Sequence, residues 1–164
     1  SVANSIYNLS TALTSGETYV VVAAGITGLS STTYSVNPPF ELDVFPMARE
    51  QAATAGNTDV LVYHGATDAP TVDVYESRVL NATASDDLMY SDFDGYLELP
   101  ANDYTVEVRD ASGTTVVASY EAPLQALGLQ DSALTVLASG FLDPSANGNG
   151  PPLGCMPLCL PVAI

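Results

Sequence analysis

Basic residues are almost missing from this chain. Three arginines, no lysine and one histidine stand against nineteen Asp and Glu, a formal net charge of −16 over 164 residues. The deficit excludes nucleic acid as a partner, because that binding is driven by Lys and Arg displacing counterions from phosphates. It disfavours anionic membrane surfaces for the same electrostatic reason. Nowhere does the sequence reach the roughly 18–20 apolar residues needed to cross a bilayer, so no membrane insertion is expected. A basic-then-apolar export leader is also missing. The chain opens at Ser1 rather than Met, which reads as a processed or trimmed N-terminus. Cys155 and Cys159 are the only cysteines, too few for a four-ligand zinc site. With His64 the sole histidine and no Gly-x-Ser-x-Gly elbow, a Ser-His-Asp hydrolase is not supported. No catalytic residue is assigned.

What the chain does hold is the material for a core, cut into short pieces. Hydrophobic residues make up 47% of it, too many for disorder. They alternate with polar residues between Gly, Asn, Asp and Pro, which is a strand pattern. Strands are expected near 5–10, 18–24, 40–45, 59–64, 71–76, 96–99, 103–109, 115–121, 133–139 and 153–160. In the clearest of them Tyr104, Val106 and Val108 share one face, while Thr105, Glu107 and Arg109 take the other. Hairpin turns are expected at Pro100–Asp103 and Asp110–Gly113. Spacings of about 8–12 residues between strands point to an all-β sandwich rather than a sheet with crossover helices.

An internal echo adds organisation. Tyr19–Gly25 is similar to Leu134–Gly140, and each segment is followed by a polar loop and a diproline, Pro38-Pro39 and Pro151-Pro152. The glycines lie 115 residues apart and the diprolines 113, which is a repeat signal. Residues 1–50 match only the closing strands of a unit, residues 51–58 read as a linker, and residues 59–164 read as a complete unit. A half-sandwich cannot bury its own apolar face, and its strand edges lie open. It must be completed by the full unit, by another subunit, or by an upstream piece. The expected assembly face is Val20, Val22, Phe40, Leu42 and Val44.

The stretch Val60-Leu61-Val62-Tyr63-His64-Gly65-Ala66-Thr67-Asp68-Ala69-Pro70, leading to Val72-Asp73-Val74-Tyr75, resembles a repeat family of microbial cell-surface proteins of unknown function. That family opens with a valine-rich strand, then His-Ala-Ser-Pro-Asp-Ala-Pro and Val-Asp-Val-Tyr. Gly95–Ala101, Tyr104–Arg109 and Leu134–Gly140 are similar to its later landmarks. Gly65 and Thr67 depart from its usual Ala and Pro. The resemblance implies an immunoglobulin-like β-sandwich on an exported, extracellular protein, with no known reaction or ligand.

Each chemical feature has a plain counterpart. His64, Asp68 and Asp73 are expected to hydrogen-bond the turn before Ala69-Pro70. Asp92 and Asp94, followed by Gly95, are weak calcium candidates, with Asp86, Asp87, Asp143, Asn147 and Asn149 as further acidic or amide loop residues. They lack a full calcium loop, and solvated turns are the favoured explanation. No other cofactor is expected. Cys155 and Cys159 can form a disulfide only if a turn at Met156-Pro157-Leu158 brings them together, since a straight strand holds them about 13 Å apart. Otherwise each bonds another chain. Asn8 and Asn81 open glycosylation sequons, so a glycan on the chain is a candidate. Together these features favour a non-enzymatic structural subunit of a surface filament or scaffold, a homopolymer built head to tail by strand complementation. A ligand- or glycan-binding module of a larger adhesin is the alternative.

Overall fold

The computed structural model describes residues 7–9, 12–27 and 33–159, the stretch 155–159 as backbone only. Among these the chain is all β, apart from one turn of 3-10 helix at Pro144–Ala146. The strands are β1 (Tyr19–Ala24), β2 (Glu41–Pro46), β3 (Asn57–His64), β4 (Val72–Glu76), β5 (Ala82–Leu88), β6 (Phe93–Pro100), β7 (Asp103–Asp110), β8 (Val116–Pro123), β9 (Ala133–Ser139) and β10 (Gly154–Cys159). They form two four-stranded sheets, ordered β10-β9-β3-β6 and β5-β4-β7-β8, and a separate β1-β2 hairpin. The expected β-sandwich is therefore present. Its opening strand β3 sits between β6, antiparallel, and β9, parallel, whereas the first strand of an antibody constant domain lies in the sheet of the second.

The core between the sheets follows the alternation of the strands. Val60 and Val62 from β3, Val72 and Val74 from β4, Tyr104 and Val108 from β7 and Leu134 from β9 are buried there, with Val106 packed against them. Tyr104 satisfies its hydroxyl by donating to the Pro100 carbonyl at 2.6 Å. On the other face of β7, Arg109 pairs with Glu107 at 2.7 Å and lies over the Tyr75 ring at 3.5 Å. The Asp110–Gly113 turn closes as expected. Gly113 takes φ +68°, and the Asp110 carboxylate accepts from Ser112 Oγ and the Thr114 and Thr115 amides. Those bonds hold the Asp110 carboxyl well below the usual carboxylate range. Glu76 performs a similar role at the end of β4. Burial pushes its pKa up, but four backbone N–H donors, from Arg78, Val79, Leu80 and Thr105, outweigh that and lower it.

Three expectations change. Strand β5 was not foreseen, because Ala82–Leu88 is an edge segment that turns only Ser85 and Leu88 fully inward. Half of the strand expected over 5–10 (5, 6 and 10) falls outside the described residues, and Tyr7–Leu9 are irregular. The 51–58 segment, read as a linker, is hydrogen-bonded to the sandwich at several points. The Ala52 and Gly56 amides bond Asp131, the Ala53 amide bonds Asp59, and the buried Thr58 donates to the Leu129 carbonyl.

Candidate assembly surface

The β1-β2 hairpin forms a third layer. Val20, almost fully buried, packs with Ala48 and Leu61, and Val22, Phe45, Phe93 and Tyr96 surround them. The Phe45 ring lies 5.4 Å from Phe93 and 5.9 Å from Tyr96. Strand β3 is therefore covered on both sides, by the opposite sheet and by the hairpin. Polar ties rim the contact. Tyr63 and Ser91 hydroxyls donate to the Asp43 carboxylate, and burial with that carboxylate pushes the Tyr63 phenol far up. Arg49 spans the seam. Its guanidinium pairs with the buried Asp59 and with Glu98 and lies 4.7 Å from the Tyr96 ring, and its amide bonds the Tyr96 hydroxyl.

This placement corrects the expected assembly face. Val20 stands opposite Phe45 and Val22 opposite Asp43, whereas Val21 stands opposite Val44 and Ala23 opposite Leu42. Directly paired residues share a face, so Val20 and Val22 look inward while Leu42 and Val44 look outward with Phe40. The five side chains do not form one surface. The inward pair is spent within the chain. The outward set carries Val21, which is 46% exposed, beside Leu42 and Val44, and Tyr7 packs edge-on against Phe40 at 5.9 Å.

The sequence echo has a geometric counterpart. Gly25 and Gly140 both take positive φ, +77° and +95°. The next residue of each pairs in parallel with a diproline, Ile26 with Pro39 and Phe141 with Pro152. Its amide bonds the preceding proline carbonyl, Ile26 to Pro38 at 3.0 Å and Phe141 to Pro151 at 2.9 Å. In both places a Cβ on the glycine would overlap a proline carbonyl oxygen, so glycine is required. Strand β1 thus stands where β9 stands in the full unit, and β2 where β10 stands. The difference lies at the other edge. Strand β9 pairs in parallel with β3 from Asp59↔Ala133 to His64↔Ala138, whereas among the described residues β1 pairs with β2 alone.

The remaining sequence candidates are placed as follows. His64 is buried, with its Nε2 donating to the Pro70 carbonyl at 3.1 Å and its Nδ1 accepting from the Ala66 amide at 3.3 Å. Burial lowers its pKa, against smaller upward pulls from the Pro70 carbonyl and Asp92. Asp68 and Asp73 do not serve that turn. Asp68 accepts from the Leu142 and Asp143 amides and from Asn147 Nδ2, each at 2.8 Å, and Asp73 accepts from the Asp87 amide at 2.9 Å. Asn147 is fully buried, and its Oδ1 also takes the amide and hydroxyl of Ser35. This clasp ties together the two loops that follow the repeated glycines. It was missed because its members lie 74 to 112 residues apart. Asp92 and Asp94 flank the start of β6, Asp143 caps the 3-10 turn, and Asn149 lies in the turn after it. Among the described residues no group of three or more His, Cys, Asp or Glu gathers to hold a metal. Asn8 and Asn81 are exposed, Asn81 at φ +50° beside β5. The Cys155 and Cys159 side chains lie outside the described residues. Their backbone, however, is continuous strand, Cys155 opposite Ala138 and Cys159 opposite Leu134. The turn that a local disulfide requires is absent there, and four strand steps separate the two by about 13 Å.

Between the two sheets lies an apolar cavity of ≈ 450 Å³, lined by residues such as Val60, Val74, Leu97, Tyr104, Leu134 and Val136. The edges of β5 and β6 meet on one side of the sandwich. On the other side, Tyr120 of β8 donates to the Leu153 carbonyl just ahead of β10 at 3.2 Å, and both residues border the cavity.

The arrangement defines a class: a two-sheet all-β domain that carries an extra hairpin docked on its outer face. The chain belongs to the family described as a domain of unknown function, DUF4397, whose model matches residues 58–147, from β3 through the buried Asn147. No curated protein matches the chain.

Proposed function

We propose that the chain is an extracellular structural subunit of a surface filament or scaffold, joined to its neighbours by strand addition at the edge of β1 away from β2. The carrying observation is the mismatch between two equivalent strands. The edge of β9 is occupied by β3, and the corresponding edge of β1 has no described partner. An open edge presents a row of amide and carbonyl groups that template another strand. The incoming strand takes, in this reading, the register that β3 takes against β9 in the full unit. It runs parallel to β1, and its last residues stand opposite Ala23, as His64 stands opposite Ala138. Outward-facing Val21, on β1 itself and 46% exposed, supplies apolar surface beside this edge.

Support also comes from the resemblance of residues 60–75 to repeats of microbial cell-surface proteins, and from an acidic exterior suited to solubility outside the cell. His64 is read as structural, because both of its ring nitrogens are engaged by backbone groups. Negative-stain microscopy of the native material, joined to sedimentation over a concentration series, tests the reading. Fibres of uniform diameter that dissociate on dilution are expected. Discrete particles that remain monomeric at high concentration would favour a binding module instead.

A further inference from the structure

We propose that the apolar cavity between the two sheets is a binding site for a neutral single-chain aliphatic molecule, such as a medium-chain alcohol. This proposal does not depend on strand addition at β1. The cavity measures ≈ 450 Å³, inside the range of roughly 300–1,000 Å³ typical of small-molecule sites. Its walls come from both sheets and are almost wholly apolar. Among the described residues, the polar side chains on its border are engaged by the protein itself. Tyr104 and Tyr120 donate to the Pro100 and Leu153 carbonyls. The Glu76 carboxylate accepts four backbone amides, and Glu121 accepts from Arg78 and the Thr105 hydroxyl. Water gains little in such a space, because a buried water needs two to four polar partners. A hydrocarbon chain gains the burial of each methylene.

The entrance lies at one end of the sandwich. Glu76 closes β4 opposite Val106, and Pro123 closes β8 opposite Asp103, the first residue of β7. These strand ends lie together, and beyond each of the two that finish there stands an exposed leucine on the cavity border. Leu80 is 44% exposed, and its amide bonds the Glu76 carboxylate. Leu127 is 63% exposed, and its amide bonds the Pro123 carbonyl at 3.0 Å. From this apolar lip the cavity follows β7 inward, past Tyr104, Val106 and Val108. Four strand steps span about 13 Å, which suits an extended chain of about ten carbons. Glu76 and Glu121 stand at the same end, where Arg78 pairs with Glu121 at 3.4 Å. The surplus negative charge disfavours a carboxylate head on the guest and favours an uncharged one.

The test titrates the full chain with the neutral dye N-phenyl-1-naphthylamine, then displaces the dye with n-alkanols from hexanol to tetradecanol. The dye should brighten and saturate at one per chain. Displacement should strengthen about fourfold per added carbon up to decanol and level off beyond it. Decanoate at neutral pH should compete roughly tenfold less well than decanol. Val136→Phe, which fills the cavity from β9, should weaken dye binding about tenfold or more. Should that variant not fold, Ala122→Leu fills from β8 and gives the same comparison at smaller amplitude. A dye that stays dark with the unchanged chain would overturn the proposal. So would affinity that climbs unbroken through tetradecanol, or filled variants that bind like the unchanged chain, since both mark adsorption to the exterior. Decanoate competing as well as decanol would overturn the assignment to neutral guests.

Discussion

Gly25, Gly140 and His64 each impose a local constraint that a single substitution can probe. Gly25 and Gly140 make the same turn, and each faces a proline carbonyl where a Cβ has no room. Gly25→Ala and Gly140→Ala should each cost about 2–4 kcal/mol in chemical denaturation. Gly56→Ala, also at positive φ but with open space around it, should cost only about 1 kcal/mol. Equal costs at all three positions would mean that the proline contact is not the constraint. His64 sets a pH dependence. Its pKa is lowered by burial, so the unfolded chain binds a proton more readily. Its contribution is thus fully present above the unfolded value of about 6.5 and is lost as pH falls toward the lowered folded value. Urea midpoints measured from pH 7.5 to 5 should fall, and His64→Gln should flatten that slope. The turns at this scale were legible in part: Gly113 takes the positive φ that its turn calls for, whereas Asn102 and Asp103 do not, and Met47 and Ser91 do. The Asp68–Asn147 clasp was not, because a hydrogen bond across 79 residues leaves no local pattern.

At the scale of elements, the hairpin is held by a small apolar contact and an arginine. Phe45→Ala removes the ring that meets both Phe93 and Tyr96 and should cost about 2–3 kcal/mol. Arg49→Met keeps the stem but strands the buried Asp59 carboxylate, and should destabilise by about 3 kcal/mol. Faster proteolysis before β1 in both variants would locate the damage to the hairpin; unchanged cleavage would place it elsewhere. Most strands were legible from alternation, β7 above all. The expected assembly face grouped Leu42 and Val44 with Val20 and Val22, whereas the β1-β2 pairing sets the two pairs on opposite faces. The continuous run Val60-Leu61-Val62-Tyr63 already held the missing information. A strand buried on both faces reads as unbroken apolar sequence, and here the hairpin supplies the second cover. The Ala82–Leu88 edge strand went unseen because its adjacent acidic residues, Asp86 and Asp87, resemble a loop.

At the scale of the molecule, charge opposes association. A net −16 gives copies of this chain a repulsion that salt screens, with a Debye length near 8 Å at about 0.15 M ionic strength. Assembly should therefore strengthen as sodium chloride rises from about 0.02 to 0.3 M, read as sedimenting mass at fixed protein concentration. Weaker assembly in salt would mean that ion pairs, rather than backbone pairing and apolar contact, join the subunits.

The central claim concerns one backbone edge, and residue-resolved hydrogen exchange across Tyr19–Ala24 measures it most directly. An antiparallel edge strand directs alternate amides to its single partner and the rest to solvent. In dilute solution, alternate β1 amides should therefore exchange freely. As concentration rises and fibres form, those same amides should become protected while the amides already bonded to β2 stay as they were. Free-edge amides that remain fast in the most concentrated sample, or that are already slow in the monomer, would contradict strand addition at β1.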